Sequence, residues 1–414
     1  MNPSKKLLSI AAMVLCASQA QANDLVFSDC LQGLRSKAAA VGVSNASFDT
    51  STAGLVADMS VLELLDAQPE FTTPIWDYLA ALVDQQRVDD GQAMLKTHAA
   101  TLAQVAQQYG VDAQTVVAVW GVESDYGKTF GKRPLLTSLA TLSCFGRRQE
   151  FFRGEFFATL KLLQSGDLKP EGLTGSWAGA FGHTQFMPTT YQRIAVDGDG
   201  DGRRDLVASI PDALASTANY LKKAGWRTGE PWGYEVKLPP GFDISLAGRK
   251  NKRTLRDWAA RGVVRRSTPS AEDTLTSVDA MAGLLLPAGA NGPAWLVFRN
   301  FDAIYSYNAA ESYALAIALL SDRLRGLPPP VVAWPTDDAG LGRGERKQLQ
   351  QLLLARGHAI GEADGMIGTL TRRAIVLEQQ RLGLQPADGR AGMKILDALR
   401  REIPAPAQEA TKKP

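Results

Sequence analysis

The sequence predicts a mainly α chain with a small α/β insertion and a separate helical module near its C-terminal end. Three observations carry this. Apolar residues recur at three- and four-residue spacing through most of 23–225, the signature of helices with one buried face. Between about 232 and 300 the texture changes to short apolar runs separated by Pro and Gly turns. Beyond a Pro-rich linker, the pattern Asp-Gly-x-x-Gly occurs twice within 344–402. With 414 residues, 45% of them hydrophobic and 21% charged, the chain has the length for two or three domains and the composition of a globular protein.

In chain order, residues 1–22 read as a secretory signal: Lys5 and Lys6, the apolar run "LLSIAAMVLCA", and "AQA" ending at Ala22. Leu15 precedes Cys16 where a lipid-attachment box requires a small residue, so a soluble, unanchored exported protein is expected. No later run approaches the roughly 20 apolar residues of a transmembrane helix. Removing the two leader lysines leaves basic residues equal in number to the 43 acidic ones. That balance argues against nucleic acid as a partner, since a basic field supplies most non-specific affinity for it. Two cysteines remain, Cys30 and Cys144. In an oxidising compartment they are expected to pair, closing a loop worth about 4–5 kcal/mol in the chain-entropy model; two separate buried thiols are the alternative.

Helices are predicted over 97–110, 113–124 and 211–226, the first and third stopping at glycine. "YEVKL", "AGLLLP" and "AWLVFRN" are strand candidates of the insertion, and helix returns over 311–326. "LPPPVVAWP" and "DDAGLGRGE" (327–343) read as a stiff, then flexible, linker. "ADGMIGTLT" from Ala363 and "ADGRAGMKI" from Ala387 each place a glycine turn before a helix, and 403–414 reads as a disordered tail.

Glu123 is the residue that least fits its surroundings. On a helix capped by Asp112, it shares a face with Val116, Val119 and Trp120, seven, four and three residues earlier. It also stands in the last turn, where the helix dipole disfavours an anion. Desolvation and dipole both raise the pKa of such a group, which is what a general acid requires; a structural ion pair is the plain alternative. Asp125, two residues on, cannot share its face, so the usual carboxylate pair of a glycosidase is not evident.

In "DGDGDGRRD", Asp197, Asp199 and Asp201 occupy loop positions 1, 3 and 5, Gly202 position 6, Arg203 (through its carbonyl) 7 and Asp205 9, the EF-hand-like order for Ca²⁺. Position 12 is Ala208 rather than glutamate, and a solvated acidic turn is the alternative. Only His98, His183 and His358 occur, without the clustering of a zinc site.

"ESDYG", "RRQEFF" (147–152), "GSWAGAFGHTQFMPTTY" (175–191), the acidic loop and "YSYNAAESYALAIALL" (305–320) together resemble, in order, the lytic murein transglycosylases of the B type. "LQQLLLARGHAIGEADGMIGTLTRRAI" independently resembles the common peptidoglycan-binding domain. The resemblance implies a goose-type lysozyme-like helical core over 23–326, with the acidic loop at 197–212, and a three-helix peptidoglycan-binding module. It also implies cleavage of the β-1,4 bond between N-acetylmuramic acid and N-acetylglucosamine, with glycan strands and stem peptides as partners and Glu123 as the single acid and base. An internal C6 hydroxyl acts as nucleophile, which accounts for the missing second carboxylate. Carried over by position, Ser176, Gln185, Asn308 and Tyr313 line the cleft. Tyr307 and Phe186 are further walls, and Arg147 and Arg148 stand ready for the lactate or peptide. Asp212 supplies the last acid of a structural Ca²⁺ site, and no organic cofactor is implied. Trp177 and Phe151 stand where relatives often carry tyrosine. A hydrolytic muramidase and a catalytically silent wall-binding scaffold are the competing readings.

Overall fold

The computed structural model describes residues 23–65, 69–266 and 278–402; the leader and the C-terminal tail fall outside these. The described residues divide into two units. One takes the residues up to 65 with 100–109 and 119–223, the other 69–99, 110–118 and everything from 224 on.

The first unit is a helical assembly around the helices Leu135–Cys144 and Gln149–Ser165, whose inner faces bury Leu139, Leu142, Phe152, Phe156 and Leu160. Both sequences carry the i, i+3/i+4 apolar spacing that requires a partner. The N-terminal helix (23–40) is tied to this pair by the disulfide Cys30–Cys144. A two-stranded ribbon pairs Arg133 with Gly175 and Pro134 with Thr174, fixing where the next loop begins.

The second unit contains an antiparallel sheet in the order Gly248–Thr254, Met281–Leu285, Ala294–Val297, Gly233–Lys237, Val264–Arg265. Trp258, Leu284, Leu296 and Phe298 form its core. The three strand candidates are present, and two further strands join them. The helix Glu311–Leu324 is buried along most of its length, as its run of Ala, Leu and Ile dictates. The terminal module has three helices, Arg343–Ala355, Thr369–Arg381 and Met393–Glu402, closed over Leu349, Leu353, Ile375, Ile395 and Leu399.

Two expectations need correction. The helix predicted from 97 begins at Ala99, because His98 closes the preceding helix Gln85–Thr97, its amide donating to the Met94 carbonyl. The part of the linker read as stiff is anchored to the sheet, and the part read as flexible is held as well. The amides of Val331 and Val332 donate to the Glu235 carboxylate (2.8 and 2.9 Å), and Trp334 lies 5.9 Å from Trp295. Arg390 of the terminal module then bridges Asp338 of the linker and Asp77 of the helix Ile75–Leu82. No described helix is long and apolar enough to cross a membrane.

Candidate active site

Asp112 starts the helix Ala113–Ser124 by accepting from the amide and hydroxyl of Thr115, and Arg325 in turn holds its carboxylate at 2.6 Å. From Val116 to Trp120 every residue is buried, so this is a core helix on all sides rather than one with a single apolar stripe. Glu123 is half-buried in its last turn. Asp125, Tyr126 and Gly127 then all take positive φ (51°, 58° and 84°), which ends the helix abruptly. Two of these are not glycine, a backbone state that persists only where its surroundings impose it. Ser124 supplies part of the restraint: its hydroxyl donates to the His183 carbonyl (2.8 Å) and accepts from the Gly127 amide (3.2 Å).

The segment 176–187 binds this helix end. Ser176 forms a turn with Ala180, its hydroxyl accepting from the Ala180 amide at 3.0 Å. Gln185, at φ 47°, donates to the carbonyls of Gly182 (2.9 Å) and Phe130 (3.3 Å). The structure thus brings Gln185 to the segment that follows the acid. Phe186 is 2% exposed and packs on Tyr220, so it supports the loop from the core instead of offering its ring as a cleft wall. Its neighbours Pro188–Ile194 form a short helix whose start is capped by buried Glu155 through the amide and hydroxyl of Thr189. Burial raises the Glu155 pKa against those two hydrogen bonds.

Arg147 and Arg148 are exposed; Arg147 donates to the Leu65 carbonyl, and Arg148, at φ 62°, lies over the Phe151 ring. In the second unit, Asn308 donates to Glu70 (3.2 Å), and Tyr307 stacks on Tyr313 at 6.2 Å. Tyr313 is buried to 3% exposure and Tyr307 is half-buried, so of the two only Tyr307 has a face for ligand.

In the acidic loop, ligand atoms of Asp197, Asp199 and Asp212 lie within 4.8 Å of one another. Asp197 accepts from the amides of Gly200 and Gly202, and Asp212 from those of Gly198 and Asp205. Ser209 donates to Asp199. Three carboxylates held together by amides and a hydroxyl form an oxygen-rich set of the kind a hard divalent cation takes. Asp201 and Asp205 are not in this group. Asp201 accepts from the Arg203 amide and Asp205 from the amides of Val207 and Ala208; Asp197 likewise accepts from amides that follow it, so what marks the group is the mutual approach of its ligand atoms. His183, a residue that sequence reasoning used only to exclude zinc, touches both neighbourhoods: its carbonyl accepts from Ser124 and its amide donates to the Leu206 carbonyl.

The mainly helical frame that carries this helix end is lysozyme-like. The family model described as "Transglycosylase SLT domain" matches residues 26–322, and "Putative peptidoglycan binding domain" matches 342–399. The membrane-bound lytic murein transglycosylase B of Escherichia coli (strain K12) is 33% identical over 273 residues, 62% of this chain and 72% of that protein. Among solved structures, SltB3 from Pseudomonas aeruginosa in complex with NAG-anhNAM-pentapeptide is 48% identical, with 90% of this chain and 99% of that one covered and a TM-score of 0.71. The Escherichia coli lytic transglycosylase Slt35 in complex with calcium is 30% identical, covering 73% and 93%, with a TM-score of 0.61. The chain belongs to the SLT-domain transglycosylase family and is a lytic transglycosylase of peptidoglycan.

Proposed function

We propose that Glu123 is the single general acid and base of the reaction and that the product carries a 1,6-anhydromuramoyl end. The carrying observation is the position of Glu123, a half-buried carboxyl at the end of a core helix whose exit is bound by the loop of Gln185. Its proton passes to the glycosidic oxygen as the bond from C1 to that oxygen breaks. The carboxylate then takes the proton of the muramoyl C6 hydroxyl, whose oxygen bonds to C1. No water enters, and the internal attack draws on the high effective molarity of a held ring. The SltB3 relative, solved with NAG-anhNAM-pentapeptide, supports this product.

In this reading Ser176, Gln185, Asn308 and Tyr307 contribute sugar contacts, Arg147 and Arg148 meet the lactate or stem-peptide carboxylates, and Phe186 and Tyr313 act from behind. Asp197, Asp199 and Asp212 would hold Ca²⁺, which supplies charge neutralisation for the loop and no chemistry at the bond. The protein would work in the periplasm without a lipid anchor, the terminal module from 344 to 402 retaining it on the wall.

Mass spectrometry of digested sacculi tests the reaction. Products lighter by one water than hydrolysed fragments are expected, with activity lowered roughly 100-fold or more in Glu123→Gln. Hydrolysed masses, or a Glu123→Gln variant of parental activity, overturn it. Calcium is tested by melting the chelator-treated protein without and with added Ca²⁺. At 100 times the dissociation constant the added ion should stabilise by about 2.7 kcal/mol; an unchanged melting temperature removes the site.

A further inference from the structure

We propose that His183 is a positioning residue for the acid, fixing the last turn of the Glu123 helix through the indole of Trp120. The proposal rests on the reading of Glu123 as the catalytic acid. Trp120 Nε1 donates to His183 Nδ1 at 3.0 Å, and both residues are buried. An Nδ1 that accepts carries no proton, so the imidazole is neutral with its hydrogen on Nε2. Trp120 lies three residues before Glu123, hence on the same side of the helix and one turn below it. Directly after Glu123, the Ser124 hydroxyl donates to the His183 carbonyl at 2.8 Å. Glu123 therefore sits between two residues bound to the same histidine, one through its ring and one through its backbone.

The ring has little room to do otherwise. Phe130 meets it edge-on at 4.7 Å, and Trp120 does so at 5.5 Å. A Cβ on Gly127 would come within 2.4 Å of His183 Cε1, so the left-handed glycine that ends the helix is also what leaves space for the imidazole. The His183 amide donates to Leu206 at 2.8 Å, which holds the backbone of the histidine in place. A turn held at both sides of the acid resists the small rotations that misplace a reacting proton, and such misplacement is felt in turnover more than in binding.

The test uses His183→Phe, which keeps an aromatic ring but has no acceptor, and His183→Asn, whose side-chain oxygen can take the place of Nδ1. On soluble glycan strands, His183→Phe should lower kcat at least tenfold with KM within twofold of the parent. His183→Asn should recover to within threefold. Trp120→Phe removes the donor while keeping a ring, and supplies the answer if His183→Phe does not fold; it should also lose at least tenfold. The double variant should be no slower than His183→Phe alone, because both break one link. The indole N–H resonance of Trp120 should shift in His183→Phe and not in His183→Asn. Parental kcat in His183→Phe, or His183→Asn as slow as His183→Phe at an unchanged melting temperature, overturns the role. Glu123→Gln in parallel separates the two readings. If that variant keeps parental kcat, the acid assignment fails; if it is slow while His183→Phe is not, only the positioning role fails.

Discussion

Glu155 in the first unit and Glu378 in the terminal module are both nearly inaccessible, 3% and 4% exposed, yet they are held by opposite means. Glu155 accepts from the amide and hydroxyl of Thr189, neutral donors at the start of a helix, and burial leaves its pKa raised. Glu378 meets two arginines and a histidine ring. Arg381 Nε donates to it at 2.8 Å, Arg356 lies at 3.0 Å, and His358 Nε2 is 2.7 Å away. Burial again opposes the charge, but these partners outweigh it and the pKa falls. The first unit uses its buried carboxylate to cap and orient the helix that follows the Gln185 loop. The small module, with a modest core, gathers charge to tie its helices together.

The largest effect that would sharpen this contrast is at Glu378. Glu378→Gln removes the charge that two arginines and the His358 ring share, and although Glu402 still faces Arg356 and Arg381, a loss of about 2–4 kcal/mol is expected near neutral pH. The sign with pH follows from the lowered pKa. Its stabilisation is complete above the ordinary glutamate value and is lost as pH falls through the depressed one, so the deficit should shrink in acid. Denaturant unfolding followed by amide exchange in the module measures it. A deficit independent of pH between 3 and 7 would remove the ionic account.

The same contrast explains what was legible in the sequence. The acid helix and its Asp112 cap follow from local pattern, as do the paired glycine turns of the module. In those turns Gly365 and Gly389 donate to the side chains of Gln350 and Gln379, a repeated device whose glutamines give no local signal. The strand Gly248–Thr254, "GRKNKRT", has no alternation to read and exists because Met281–Leu285 needs an edge partner, with a register shift between Gly248 and Arg253. The restraint of the linker depends on Glu235, about a hundred residues away, and Phe186 is drawn into the core by Tyr220. The bond between Trp120 and His183 spans 63 residues, and no spacing rule joins an indole to an imidazole at that distance. Asp201 and Asp205 look equivalent to Asp197 in the linear pattern, and only the folded loop shows that the carboxylates gathered within 4.8 Å of one another are those of Asp197, Asp199 and Asp212.

The smallest expected effect lies at Glu155, and its direction is the informative part. A carboxyl whose folded pKa is raised contributes stability that is fully present below its ordinary value and is lost as pH climbs through the folded one. Glu155→Gln keeps an oxygen for the Thr189 amide and an amide group that can face the Thr189 hydroxyl, while removing the buried charge. Relative to the parent, the variant should therefore gain on moving from pH 4 to pH 7. Arg193, whose charge favours the ionised form, limits the gain. Paired thermal melts at the two pH values read the difference directly. A variant that instead loses ground as pH rises would mean that Glu155 behaves like Glu378, stabilised by charge, and the distinction between the two units would fall.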